Sequence, residues 1–135
     1  MVRKILAVAF SGIWITISEF VRNEFLFKGY WTDHYNELGM SFETKALNGI
    51  FWFVWSIILA FIIMKVYEKF NFIQTLYITW LPAFLMMWIT VYNLQVLPMK
   101  LLWFALPLSI VEITVALFII NAFERRPLRG KKNIQ

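Results

Sequence analysis

The sequence predicts an all-α integral membrane protein, a four-helix bundle with both termini in the cytoplasm, and three observations carry that prediction. Of 135 residues 61% are hydrophobic and only 16% charged, whereas a soluble domain needs about a quarter of its residues charged to cover its surface. The apolar residues fall into four blocks, each close to the roughly 20 residues that cross a bilayer core of about 30 Å. Lys and Arg are also shared unevenly between the two ends of those blocks. A mean hydropathy of +0.67 makes the same exclusion of an ordinary water-soluble domain.

Span one runs over about residues 5–21, between Arg3 and Lys4 on one side and Arg22, Asn23 and Glu24 on the other, with room to extend to Phe27. A basic start before a short apolar core also fits a secretory signal, but no small-x-small cleavage site falls near residues 18–28, so the segment reads as a retained helix. Span two, about 47–66, is opened by Asn48 and Gly49 and closed by Lys65, Glu68 and Lys69. Spans three and four cover about 72–92 and 99–121, with Pro82 and Pro107 inside them and Pro98 at the turn between. Membrane helices tolerate an internal proline, which removes a backbone donor and favours a kink.

Four crossings put both termini on one side. That side carries Arg3, Lys4, Lys65 and Lys69, joined by Arg125, Arg126, Arg129, Lys131 and Lys132 of a basic tail over 124–135. The other side has Arg22, Lys28, Lys45 and Lys100, so the positive-inside rule places the termini in the cytoplasm, as in a bacterial inner (plasma) membrane protein. The outer segment, 22–46, is slightly acidic through Glu24, Asp33, Glu37 and Glu43, and aromatic enough to lie on headgroups or fold over the bundle. Within it Thr32 is expected to cap a short helix through Leu38, Gly39 to end it, and Ser41 to cap span two. No repeat or composition break divides the chain, so 1–135 reads as one domain.

A carboxylate inside hydrocarbon is costly unless neutral, paired or wet, and Glu19 and Glu112 both fall inside spans. Each belongs to a helix-face stripe of small or polar residues: Gly12, Thr16, Glu19 and Asn23 in span one, and Ala105, Ser109, Glu112 and Ala116 in span four. At 1.5 Å per residue Glu112 lies roughly 15–20 Å below the outer end of its span and Glu19 roughly 5–12 Å below its own, so the two faces can meet in the outer half. Asn23 would then lie above the site and Asn48 near its entrance. Two carboxyls sharing a low-dielectric site cannot both ionise cheaply, which suits binding a cation, carrying a proton, or working as acid and base. The competing expectation is that each Glu holds the helices together through Ser109, Thr16, Asn48 or a carbonyl, with the small residues serving only close packing.

Trp14, Trp55 and Trp80 lie deeper than the interfacial aromatics, and beside Glu19 and Glu112 they would wall a cavity for a hydrophobic cation or a flat lipid-like molecule. Asp33, His34 and Glu37 are close together, but one His in the chain gives little basis for a metal, and none is expected. Absence of Cys removes thiolate chemistry, and no phosphate loop, HExxH or CxxCH motif is present, so no cofactor is expected. The net charge of +5 is largely tail charge, a topology and lipid signal, and nucleic acid is not an expected partner.

Three functions remain open on these residues: binding or transport of a small cationic or amphipathic molecule, an intramembrane enzyme using Glu19 and Glu112 on a lipid-like substrate, and a structural or accessory subunit. In size, four spans and a Glu in the first helix, the chain resembles in outline the small multidrug-resistance transporters, which work as dimers. The resemblance implies a homodimer; the longer outer segment and the second Glu depart from it, and it transfers no residue role.

Overall fold

The computed structural model describes residues 2–42 and 45–124. Four helices, α1 (Val2–Leu26), α3 (Ala46–Tyr67), α4 (Phe72–Asn93) and α5 (Met99–Glu124), are long and apolar enough to cross a membrane. A shorter one, α2 (Lys28–Glu37), lies between α1 and α3. Large apolar side chains such as Ile17, Phe51, Ile89 and Trp103 project outward from the long helices. Outward apolar faces over spanning lengths define an integral membrane protein. The tail residues from Arg125 onward, and Glu43, lie outside the described residues.

Packing centres on α1, which runs against α3 and α5, while α4 packs on the same two helices. Gly12 permits the closest approach: a Cβ there would stand 2.5 Å from Ile57 Cδ1 of α3. Ala7, Ile15, Ala60, Ile63, Ile113 and Leu117 fill the interior. Buried hydroxyls among them return to carbonyls one turn back, Ser56 to Trp52 at 2.8 Å and Thr79 to Thr75 at 2.8 Å, so they add no unmet polar group.

Helix ends follow local chemistry. Asn71 and Gln74 form a reciprocal capping box at the start of α4. Gly39, at φ +72, ends α2 with its N–H on Asn36 O at 3.0 Å and the Met40 N–H on Tyr35 O at 2.9 Å, a Schellman closure. Two expected caps are corrected. Thr32 lies inside α2, because the chain re-enters a helix straight after buried Phe27, whose carbonyl accepts from the Trp31 N–H at 3.1 Å. Ser41 does not cap α3, whose N-cap position is Lys45 in extended backbone.

Two stretches widen from α to π geometry: Val21–Leu26 at the end of α1 and Leu81–Met86 in the middle of α4. The first closes with the Phe27 N–H on Arg22 O, five residues back, at 2.9 Å. Pro107, by contrast, sits inside α5 without interrupting it.

The register between α1 and α5 positions the site. Phe10 stacks on Phe123 at 5.6 Å, and the Trp14 indole N–H donates to the Glu112 carbonyl at 3.0 Å. Ser18 therefore stands level with Glu112, and counting 1.5 Å per residue upward, α1 stops roughly 8 Å short of the end of α5. Phe27 and α2 fill that gap, Phe27 beside Phe104 at 6.5 Å and His34 Nε2 of α2 3.2 Å from the carbonyl of Gln95.

Candidate functional site

Along α1 Glu19 and Arg22 are three residues apart, and Ser18–Arg22 and Glu19–Asn23 four, so one flank of the helix presents the four together. The residues opposite come from α5. Glu112 is completely buried, and Glu19 and Arg22 are 3% and 6% exposed, so this is an ion cluster in the protein interior. The Arg22 guanidinium donates through Nη2 to Glu19 Oε1 and lies 3.5 Å through Nη1 from Glu112 Oε2. The Ser18 hydroxyl donates to that same Glu112 oxygen at 2.6 Å. Asn23 Nδ2 donates to Glu19 Oε2 at 2.9 Å and to the Glu19 carbonyl at 3.0 Å. Three carboxyl oxygens are thereby engaged, while Glu112 Oε1 is buried with no hydrogen-bond partner among the described residues.

An aromatic floor lies against the cation. Arg22 Cζ is 5.3 Å from the centroid of Phe84, a fully buried ring carried on the π stretch of α4. Trp55 meets Phe84 edge-on at 6.0 Å and Trp88 lies at 5.8 Å, which keeps water from the guanidinium and strengthens every charge interaction above it.

The structure brings together Glu19, Glu112 and Asn23 of the residues singled out from sequence. Trp14 joins through the Glu112 carbonyl, and Trp55 only through Phe84. Ser109 instead accepts the Trp80 indole N–H at 2.9 Å and donates to Leu106 O at 2.8 Å. Thr16 likewise returns to Gly12 O at 2.9 Å. Neither hydroxyl reaches a carboxyl, so the expected Ser109 and Thr16 partners are replaced by Ser18. Asn48 is exposed on α3 and lines, with Tyr35, Ser41, Phe42 and Lys45, an open depression of about 450 Å³ that neither Glu reaches. His34 is 3.8 Å from Glu37, and no metal-binding group of three acids, His or Cys occurs among the described residues.

Arg22 is the functional residue that the sequence alone does not single out, because it reads as an outer-side charge at the end of span one. The helix continues to Leu26, within the extension to Phe27 that the sequence allows, and turns Arg22 inward. Its signal is local: Glu19 and Arg22 are at helical i, i+3 spacing, and apolar Phe25, Leu26 and Phe27 follow. Phe84 and Trp31 carry no comparable signal.

No family model, curated protein or solved structure matches the chain. The fold and site define an integral membrane protein with a buried Glu–Arg–Glu cluster.

Proposed function

We propose that the protein binds or transports a small cationic or amphipathic molecule at Glu19 and Glu112. The supporting observation is Oε1 of fully buried Glu112, which has no hydrogen-bond partner among the described residues, in a pair of carboxyls that share one guanidinium. That pairing leaves one negative charge for a proton or a bound cation to match, and intramembrane ionisable groups are expensive enough to be functional by default. Arg22 stays with Glu19 while an incoming cation takes Glu112 and releases its proton. Phe84, Trp55 and Trp88 supply flat apolar surface for a poorly hydrated cation. The termini face the cytoplasm in this proposal. With Arg22 drawn inside, Lys28, Lys45 and Lys100 are left at the opposite end, which sharpens the positive-inside bias.

Adding tetraphenylphosphonium to the purified, weakly buffered protein is expected to release protons, and Glu112→Gln to reduce that release to the protein-free background. Equal release from the native and Glu112→Gln proteins would sink the reading. A structural or accessory role is the second reading, favoured by Ser18, Arg22 and Asn23 answering three of the four carboxyl oxygens and tying α1 to α5. It expects a folded Glu112→Gln protein and no cation binding by either form. Acid–base chemistry on a lipid has less support, since the engaged carboxyl oxygens face protein donors.

A further inference from the structure

Above the ion cluster, the Trp31 indole N–H of α2 donates to Asn23 Oδ1 at 3.2 Å. An asparagine amide has one accepting and one donating end, and the two fit a site equally well by shape. The indole nitrogen can only donate, so it fixes Oδ1 toward α2 and turns Nδ2 toward Glu19. A flipped amide would set Oδ1 against Glu19 Oε2, oxygen to oxygen, and leave the indole N–H facing an NH₂ group. A directional chain then runs from the indole of Trp31 through Asn23 to Glu19, which accepts it, and Arg22, donating to Glu19 and Glu112 alike, joins that end to the second acid.

We infer that Trp31 is a positioning residue for the acid site, acting through the Asn23 amide to keep Glu19 committed to Arg22 and so leave Glu112 to the incoming cation. This rests on the cation-binding reading for its consequence, and on the hydrogen-bond geometry alone for the relay. Helix α2 supplies Trp31 and is held at its other end by His34 against Gln95, so the seating of α2 and occupancy of the acid site are linked. Linkage is reciprocal: whatever seats α2 more firmly changes cation affinity, and cation binding changes the seating of α2 by the same factor.

The test is a double-mutant cycle of Trp31→Phe, which keeps an aromatic ring and removes the N–H, with Asn23→Leu. Two quantities are read on the full chain: the carboxylate infrared bands of protein with isotope-labelled Glu, without any ligand, and the affinity for tetraphenylphosphonium. Trp31→Phe is expected to shift a Glu band and to change affinity on the order of tenfold, with both effects absent in the Asn23→Leu background. No band shift, or the same shift in both backgrounds, overturns the relay. A background-dependent band shift in a protein that binds no cation upholds the relay and removes the cation-binding reading. Should Trp31→Phe fail to fold, the native indole N–H resonance of Trp31 decides. It is expected to move on Glu19→Gln although the two side chains do not touch, and an unmoved resonance overturns the inference.

Discussion

The two π stretches, Val21–Leu26 and Leu81–Met86, meet at the contact of Arg22 with Phe84, and they arise differently. In α4 a covalent cause is at hand: the stretch holds Pro82, which has no N–H to offer Ile78 and crowds the preceding turn, and widening relieves the helix there, whereas α5 accommodates Pro107 without it. Val21–Leu26 contains no proline. There the chain widens where Arg22 points inward to two carboxyls and Phe27 is buried against α5, so tertiary contacts hold the geometry. A helix defect without a local cause, at a buried charge, is the kind that accompanies a functional site.

The comparison breaks most severely at Arg22. Replacing it with Met leaves both carboxyls buried without their cation, and a loss of about 3 kcal/mol in unfolding free energy is expected in detergent. The same change in a Glu19→Gln, Glu112→Gln background should cost far less, and an equal cost in both would mean that packing, rather than charge, holds the α1 stretch.

Pro82→Ala sharpens the other half. It restores a donor and lets α4 return to α geometry, and stability should rise by about 1 kcal/mol or less, because the widened turn already relieves most of the roughly 3 kcal/mol cost of an interior proline. Phe84 would nevertheless rotate relative to Arg22, and the near-ultraviolet circular dichroism of the coupled Trp55 and Trp88 rings reports that rotation. An unchanged spectrum would show that the π stretch of α4 is held from outside, like that of α1.

The smallest effect lies far from both stretches, in the turn between α3 and α4. Lys4 donates to Glu68 Oε1 at 2.7 Å, and Lys65 is 3.4 Å from Oε2. The hydrogen bond from Lys4 holds the Glu68 carboxyl below its ordinary value, aided by the charges of Lys4 and Lys65. A lowered carboxyl contributes stability that is complete above the unfolded Glu value of about 4.3 and is lost as pH falls through the folded value. Thermal unfolding should therefore show a slight acid-side loss that Glu68→Gln lacks, small because the ions meet solvent.

The four long helices were legible because hydropathy over some 20 residues survives any error of a few residues at the ends. The inward faces of Glu19 and Glu112 followed from helical spacing. Arg22 is illegible for the opposite reason: a charged residue at an apolar boundary reads as the boundary, and although span one has room to extend to Phe27, only the fold shows that Arg22 turns inward to the two acids. Trp31 belongs to a polar segment whose docking depends on the roughly 8 Å offset between α1 and α5, a quantity that no local spacing encodes.

Arg22 and Glu112 reside on the first and last long helices, which has a consequence for how the chain enters a membrane. The acid must cross into hydrocarbon on a helix that does not contain its cation. α5 carries that load because Leu, Ile, Phe and Val dominate it, giving its most apolar 18-residue stretch a mean hydropathy of 2.2 against 1.6 for that of α1. Several such residues, at a few tenths of a kcal/mol each, offset the roughly 3 kcal/mol of a central acid. Insertion of α5 thus needs no help from Arg22, and ion pairing becomes a reward for lateral assembly, which selects the register in which the last helix meets the first.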